Sequence, residues 1–383
     1  MKLFEDRFRT HLEPATHNEN IYDYYDRSAR KDISIIREVL NRWFIIYPQV
    51  EKIELKQRFK KAFSSAFYEL YLFNLFKLQG FTIEIHPKLP NSNKRPDFLI
   101  SKNEIEFYLE AKVAKGESEE QESQQKRIYQ IYDSLNTIKS PNFLLSIEEI
   151  ILKSKLQPTT KRIRRFVEEK LEKYDPDNVT NQIQNHGYEG SPKIIIEDLN
   201  IKLTISLIPK AKPYRNIGGR TIGTYPFEAF WGGEQDSIKN SFVKKAKRYG
   251  QLDLPYIIGI NTVGSKFSGD YDVMNAFWGS PVLSWSNNPK DQDEKLTRLK
   301  DGLFLSDRGP IFQNVSGVLI NYIMEFNIPV SKYWFIKHPF SRYGLNFEIF
   351  DMTYQYVKQS KIIFREGKTI GEIFNINSNW LDE

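Results

Sequence analysis

The 383-residue chain contains no cysteine. That excludes disulfide frameworks, thiol catalysis, Cys-ligated zinc and iron–sulfur clusters. Histidine is scarce. The five present (His11, His17, His86, His186 and His338) show no metal-ligand spacing such as H-E-x-x-H. No apolar run reaches the ~18 residues of a membrane-spanning helix. The opening stretch MKLFEDRFRTHLEP lacks the apolar core of a secretory leader. A cytoplasmic protein with no membrane partner is therefore expected. There is no G-x-x-x-x-G-K-[ST]; the nearest piece, Gly218–Thr224, has no lysine, so the chain carries no ATP motor of that type. A G-x-S-x-G nucleophile elbow is also missing. An H-x-K-x4-D pattern begins at His86 and Lys88 but ends on Asn93 where the aspartate is needed. Internal repeats and low-complexity tracts are absent as well.

What remains is an ordinary globular composition, 40% hydrophobic and 27% charged, with a mean hydropathy of −0.53. The length suits two domains, or one large domain with additions. A net charge of +6 and a pI near 9.0 lean mildly toward a polyanionic partner.

Along the chain, Ile33–Trp43 has apolar residues at helical spacing within a peripheral helical extension, 1–57. A helix over 58–79 is apolar almost all round from Ala66 to Phe76 and ends at Gly80. Strands are predicted at Phe81–His86, Asp97–Ser101 and Ile105–Ala114, with a polar turn at 91–94. A polar helix (Glu119–Ile138), a strand (Asn142–Leu152) and a basic amphipathic helix (Thr159–Tyr174) follow. Asp175–Gly190 reads as a loop and domain boundary. A hairpin (Ile194–Glu197, Ile201–Ile208) precedes a Gly- and aromatic-rich loop at Lys210–Gly233. A Lys-rich helix (Asp236–Gly250) leads to an apolar strand, Tyr256–Asn261, and later strands lie at Val315–Tyr322 and Tyr333–Ile336. The expected class is α/β (mixed α+β), a central mixed sheet flanked by helices. Its parts are an N-terminal helical extension (1–57), a core (58–152), a basic helix and linker (153–190), and a C-terminal α/β extension (191–383). The last part continues the core sheet or forms a DNA- or partner-binding domain.

The chemistry concentrates in Arg95–Gly116. In the strand from Ile105, residues Ile105, Phe107, Leu109, Ala111 and Val113 share one face, and Glu106, Tyr108, Glu110 and Lys112 share the other. Glu110 and Lys112 thus stand side by side. Asp97 opens the preceding strand, and an antiparallel hairpin brings it to Glu110. Two converging carboxylates repel unless a cation lies between them. A hard divalent ion, Mg²⁺ or Mn²⁺, suits oxygen ligands. A lysine beside it can orient water or neutralise charge developing on phosphorus. The bland alternative is a solvated strand face with a cross-strand ion pair.

Pro96-Asp97 followed by Glu110-Ala111-Lys112 resembles the PD-(D/E)XK, or restriction-endonuclease-like, nuclease superfamily. The family core runs helix, three strands, helix, strand, and 58–152 offers that order. The resemblance implies a Mg²⁺-dependent endonuclease acting on DNA. Asp97, Glu110 and the carbonyl of Ala111 would bind metal, and Glu69 on the preceding helix would be a further ligand, direct or through water. Lys112 would position the attacking water, and the products would be a 5′-phosphate and a 3′-hydroxyl. Without a ligand role, a helix glutamate here would pair with Lys77 or lie on an exposed edge of the helix. Gln125 and Tyr129 match the Gln-x-x-x-Tyr of RecB-like branches. Arg95, Lys94, Lys244, Lys245 and Arg248 are candidate nucleic-acid contacts. Lys245-x-x-x-Tyr249 and the strand after it could instead complete the core, making 119–233 a large insertion. The resemblance also implies a homodimer and a setting in restriction or anti-phage defence, with a defence-system partner subunit. The rival readings are a catalytically inactive DNA-binding or scaffold protein on the same fold, a structural or interaction protein whose C-terminal half (about 190–383) binds another protein, and an RNase.

Overall fold

The computed structural model describes residues 1–90, 92–227, 233–285 and 294–382. Asn91 of the polar turn and Trp231 of the aromatic-rich loop lie outside the described residues. The chain forms two compact units: residues 1–13, 20–116 and 230–383, and residues 14–19 and 117–229.

The first unit opens with four helices: α1 (Ile21–Arg27), α2 (Lys31–Ile46), α3 (Lys52–Lys61) and α4 (Phe63–Leu78). The single helix expected over 58–79 is broken at Ala62, whose φ of −146° and ψ of 61° leave the helical region. The segment 1–57 is not peripheral. Ile36, Leu40, Trp43 and Phe44 of α2 join Leu55, Phe59 and most of α4 in one core. α4 buries residues on every side, which its apolar sequence demands.

Strands β1 (Thr82–Ile85), β2 (Phe98–Lys102) and β3 (Ile105–Ala114) follow as antiparallel neighbours. The chain then builds the second unit from α5 (Glu119–Asn136), β4 (Phe143–Leu152), α6 (Thr160–Leu171), α7 (Pro176–His186), β5 (Lys193–Glu197), β6 (Ile201–Pro209) and β7 (Ile222–Thr224). Its own four-stranded sheet has the order β5-β6-β4-β7. Ile131, Leu135, Ile163, Val167 and Val179 of the helices cover that sheet. The loop and boundary expected at 175–190 are instead α7. Asp175 caps it by accepting from the N–H groups of Asp177 and Asn178, Pro176 opens it, and Val179 anchors it.

The first unit resumes with α8 (Gln235–Ala246), β8 (Tyr256–Thr262), α9 (Asp270–Trp278) and the hairpin β9 (Pro281–Ser284) and β10 (Lys295–Arg298). The two-residue strands β11 (Leu305–Ser306) and β12 (Gly309–Pro310) precede β13 (Gly317–Tyr322), β14 (Lys332–Lys337), β15 (Tyr354–Lys358), β16 (Lys361–Arg365) and α10 (Ile370–Phe374). The main sheet is mixed, in the order β1-β2-β3-β8-β13-β14-β15-β16. β8 runs parallel to both β3 and β13 and is buried along its whole length, as YIIGINT suggests for a central strand covered on both faces. One face packs on α4 and the N-terminal helices, the other on α8 and α9. On the α4 side Gly259 permits close approach, since a Cβ there would lie 3.0 Å from the Tyr68 hydroxyl and 3.2 Å from Leu72.

Residues 58–152 are therefore not one structural body. α5 and β4 belong to the second unit, and the strand beside β3 is β8. The sequence satisfies the order helix, three strands, helix, strand twice, once through α5 and β4 and once through α8 and β8. The alternating FLLSIEE of β4 suits an antiparallel partner, which it finds in β6.

Candidate functional site

Alternation along β3 carries Glu110 and Lys112 to the face that α8 covers. That face is not solvated. Tyr108 packs with Phe242 and Tyr256, and Glu110 is only 1% exposed. A buried carboxylate needs compensation, and α8 with the turn after it supplies it. Lys245 donates from Nζ to Glu110 Oε1, and the Tyr249 hydroxyl donates to Glu110 Oε2. Lys245 in the last turn of α8 and Tyr249 in the turn beyond it, four residues apart, reach the same carboxylate. Arg248 Nε lies 3.7 Å from the same carboxylate. Burial, then the charge of Glu110, raise the Tyr249 hydroxyl far above its ordinary value, so it acts as a donor.

Asp97 directly precedes β2. The β2–β3 register pairs Phe98 with Leu109, and the Asp97 carboxylate accepts from the backbone N–H of Ala111 at 2.6 Å. Burial pushes the Asp97 carboxyl up to about 7, and the charges of Glu110 and Glu69 add to this. The Ala111 N–H and Lys245 oppose the rise. Three carboxylates therefore act on one place.

Glu69 projects from the mid-point of α4 and is buried. Its partner is not Lys77. Arg58 of α3 grips both oxygens at 2.5 Å, and the Tyr47 hydroxyl donates to Oε1 at 2.7 Å. The break at Ala62 turns α3 back so that Arg58 faces α4. Sequence reading missed Arg58 and Tyr47, because neither lies at helical spacing from Glu69 within one continuous helix.

Lys112 follows Glu110 on the same face and is half-buried. Lys94 Nζ donates to the Arg248 carbonyl at 2.9 Å, and the Arg95 carbonyl accepts from the Tyr249 hydroxyl at 2.9 Å. The side chain of Arg95 is exposed, as is that of Lys244. Gln125 and Tyr129 lie on α5 of the second unit, where the Tyr129 ring stands 5.4 Å from His17. Their spacing matched on a helix that covers a different sheet.

Among the described residues, no group of three or more His, Cys, Asp or Glu is arranged to hold a metal ion. The donor chemistry around Asp97 nonetheless fits a hard cation. Burial first, then the charges of Glu110 and Glu69, raise its carboxyl to about 7, a penalty that a divalent ion beside it would offset. Glu69 does not fit as a direct ligand here, since Arg58 and Tyr47 occupy both of its oxygens. No helix is long and apolar enough to cross a membrane among the described residues. Compared with known proteins, the chain matches no family model, no curated protein and no solved structure.

Proposed function

We propose that the protein is a divalent-metal-dependent deoxyribonuclease with a restriction-endonuclease-like core formed by α4, β1, β2, β3, α8 and β8. The observation that carries this reading is the meeting of Asp97 and Glu110 across the β2–β3 hairpin, with Lys112 two residues further along the same face. The element order of that core, once residues 117–229 are passed over, also supports it. Asp97, Glu110 and the Ala111 carbonyl would hold Mg²⁺ or Mn²⁺. Such an ion supplies Lewis-acid polarisation of a phosphodiester and a water more readily deprotonated. The chain's own residues do the rest. Lys245 and Tyr249 fix the Glu110 carboxylate, and the Ala111 N–H fixes that of Asp97. Glu69 adds negative charge from a position locked by Arg58. Lys112 orients the attacking water or neutralises charge on the phosphoryl oxygens.

One observation favours the second reading, a non-catalytic DNA-binding or scaffold protein. Glu110 and Glu69 already have internal cations in Lys245 and Arg58. Supercoiled and linear DNA, incubated with wild type and Lys112→Ala in Mg²⁺, Mn²⁺ or EDTA, separates the two. Metal-dependent cutting that falls at least ~100-fold in Lys112→Ala is the expected result. Binding in EDTA with no cutting in either metal would favour the second reading, and equal cutting by both proteins would overturn the role given to Lys112.

A further inference from the structure

Beside the carboxylates lies a cavity of about 550 Å³ whose lining includes Leu89, Pro90, Tyr249, Gln251, Asp253 and Tyr343. That volume falls within the roughly 300–1,000 Å³ of small-molecule sites. Tyr249 belongs to both places. Its hydroxyl binds Glu110, while its side chain also lines the cavity. A nucleotide whose phosphate lies at Asp97 and Glu110 therefore has its base within reach of this cavity. Both aromatic side chains among these are held. The Tyr249 hydroxyl sits between Glu110 and the Arg95 carbonyl with its single proton shared between them, and Tyr343 donates to the Leu252 carbonyl. With Leu89 and Pro90 they offer flat, rigid surfaces to a planar ring.

The polar groups narrow the ligand further. Asp253 accepts from the Tyr108 hydroxyl at 3.2 Å, which steadies its carboxylate. Exposed Gln251 presents an amide that both donates and accepts. A carboxylate and an amide together read a ring edge that carries an amino donor beside an acceptor, as adenine, cytosine and guanine do. Thymine has no exocyclic amine and offers the carboxylate only its ring N3–H, flanked on both sides by carbonyls. We propose that this cavity takes an amino-bearing nucleobase. The inference rests on the nuclease reading for its substrate class.

The test uses the full chain in EDTA, so that nothing is cut, and fluorescence anisotropy of labelled oligo(dA), oligo(dC) and oligo(dT). Oligo(dA) or oligo(dC) should bind ~10-fold more tightly than oligo(dT), in line with one good base contact. Gln251→Ala and Asp253→Asn should each bring that ratio to within ~2-fold of unity and leave oligo(dT) affinity unchanged. Gln251 is exposed and Asp253→Asn conserves volume, and thermal melts of both variants check the fold. Competition with dAMP, dCMP and dTMP identifies the source. Displacement by dAMP or dCMP but not dTMP assigns the recognition to a free nucleotide, and no displacement assigns it to a base carried by a strand. Equal affinity of wild type for all three oligonucleotides, or a preference that survives both Gln251→Ala and Asp253→Asn, overturns the proposal. The nuclease reading fails on different data, the cutting by Lys112→Ala, which leaves base preference in EDTA unaffected.

Discussion

Glu110 shows how much of a site lies in the side chains that hold the reacting ones. Tyr249→Phe removes one of its hydrogen bonds and keeps the ring, so metal-dependent cutting should fall about 10–100-fold with little change in melting temperature. Lys245→Met removes the cation paired with buried Glu110, so the melting temperature should fall, and with that competing charge gone metal should bind at a lower Mg²⁺ concentration. The Arg58–Glu69 pair follows the same stability argument. Arg58→Ala leaves a buried carboxylate with only Tyr47, and should cost on the order of 2 kcal/mol in urea unfolding. His338 gives a pH signature away from the site. Its Nε2 meets the Ile311 carbonyl at 3.0 Å, and its Nδ1 accepts from the Phe340 N–H at 3.0 Å. The second bond needs an unprotonated Nδ1 and is lost when the ring charges, whereas the first survives protonation. Burial lowers its pKa to about 4. The unfolded chain binds the proton first, near the ordinary 6.5. Stability should therefore fall as pH drops from about 6.5 toward 4, by ~3 kcal/mol, and His338→Gln should flatten that slope.

At the scale of elements, the sequence was legible where the signal is local. The alternation of Ile105–Val113, the turn before it and the apolar helix around Glu69 each identify themselves within a short window. Pro96-Asp97 and Glu110-Ala111-Lys112 then fall on adjacent strands with no long-range information needed. What covers the polar face of β3 was not legible. A strand shows which residues share a face, and nothing in it says whether water or a helix lies over that face. The choice between α5 and α8 turned on contacts across more than a hundred residues of sequence. The all-apolar YIIGI of β8 was the better signal, because a strand flanked by parallel neighbours on both sides is buried on both faces. Gly259 within it marks the tightest packing. Gly259→Val would push a side chain against Tyr68, whose hydroxyl is tied to Asn321 at 2.9 Å and so cannot readily yield. A loss of ~1–3 kcal/mol, read from the urea midpoint, is expected.

For the whole molecule, charge separates the two units more sharply than composition does. Residues 14–19 and 117–229 hold as many Asp and Glu as Lys and Arg, so the net +6 lies entirely in the unit that carries Asp97, Glu110 and Lys112. The basic stretch of α6 looked like a phosphate-tracking helix in sequence, yet two of its arginines are answered one turn on. Arg165 meets Glu169 at 2.9 Å, and Arg164 lies 4.0 Å from Glu168. Lys244 and Arg95 are exposed on the other unit. Binding to DNA releases counterions in proportion to the phosphates neutralised, so affinity should fall steeply with salt. Lys244→Ala combined with Arg95→Ala should lower affinity for all sequences alike and reduce the slope of log K against log salt by about one per lost contact. Arg164→Ala combined with Arg165→Ala should change neither. A slope insensitive to the first pair and sensitive to the second would move the nucleic-acid surface to the second unit and separate it from the carboxylates.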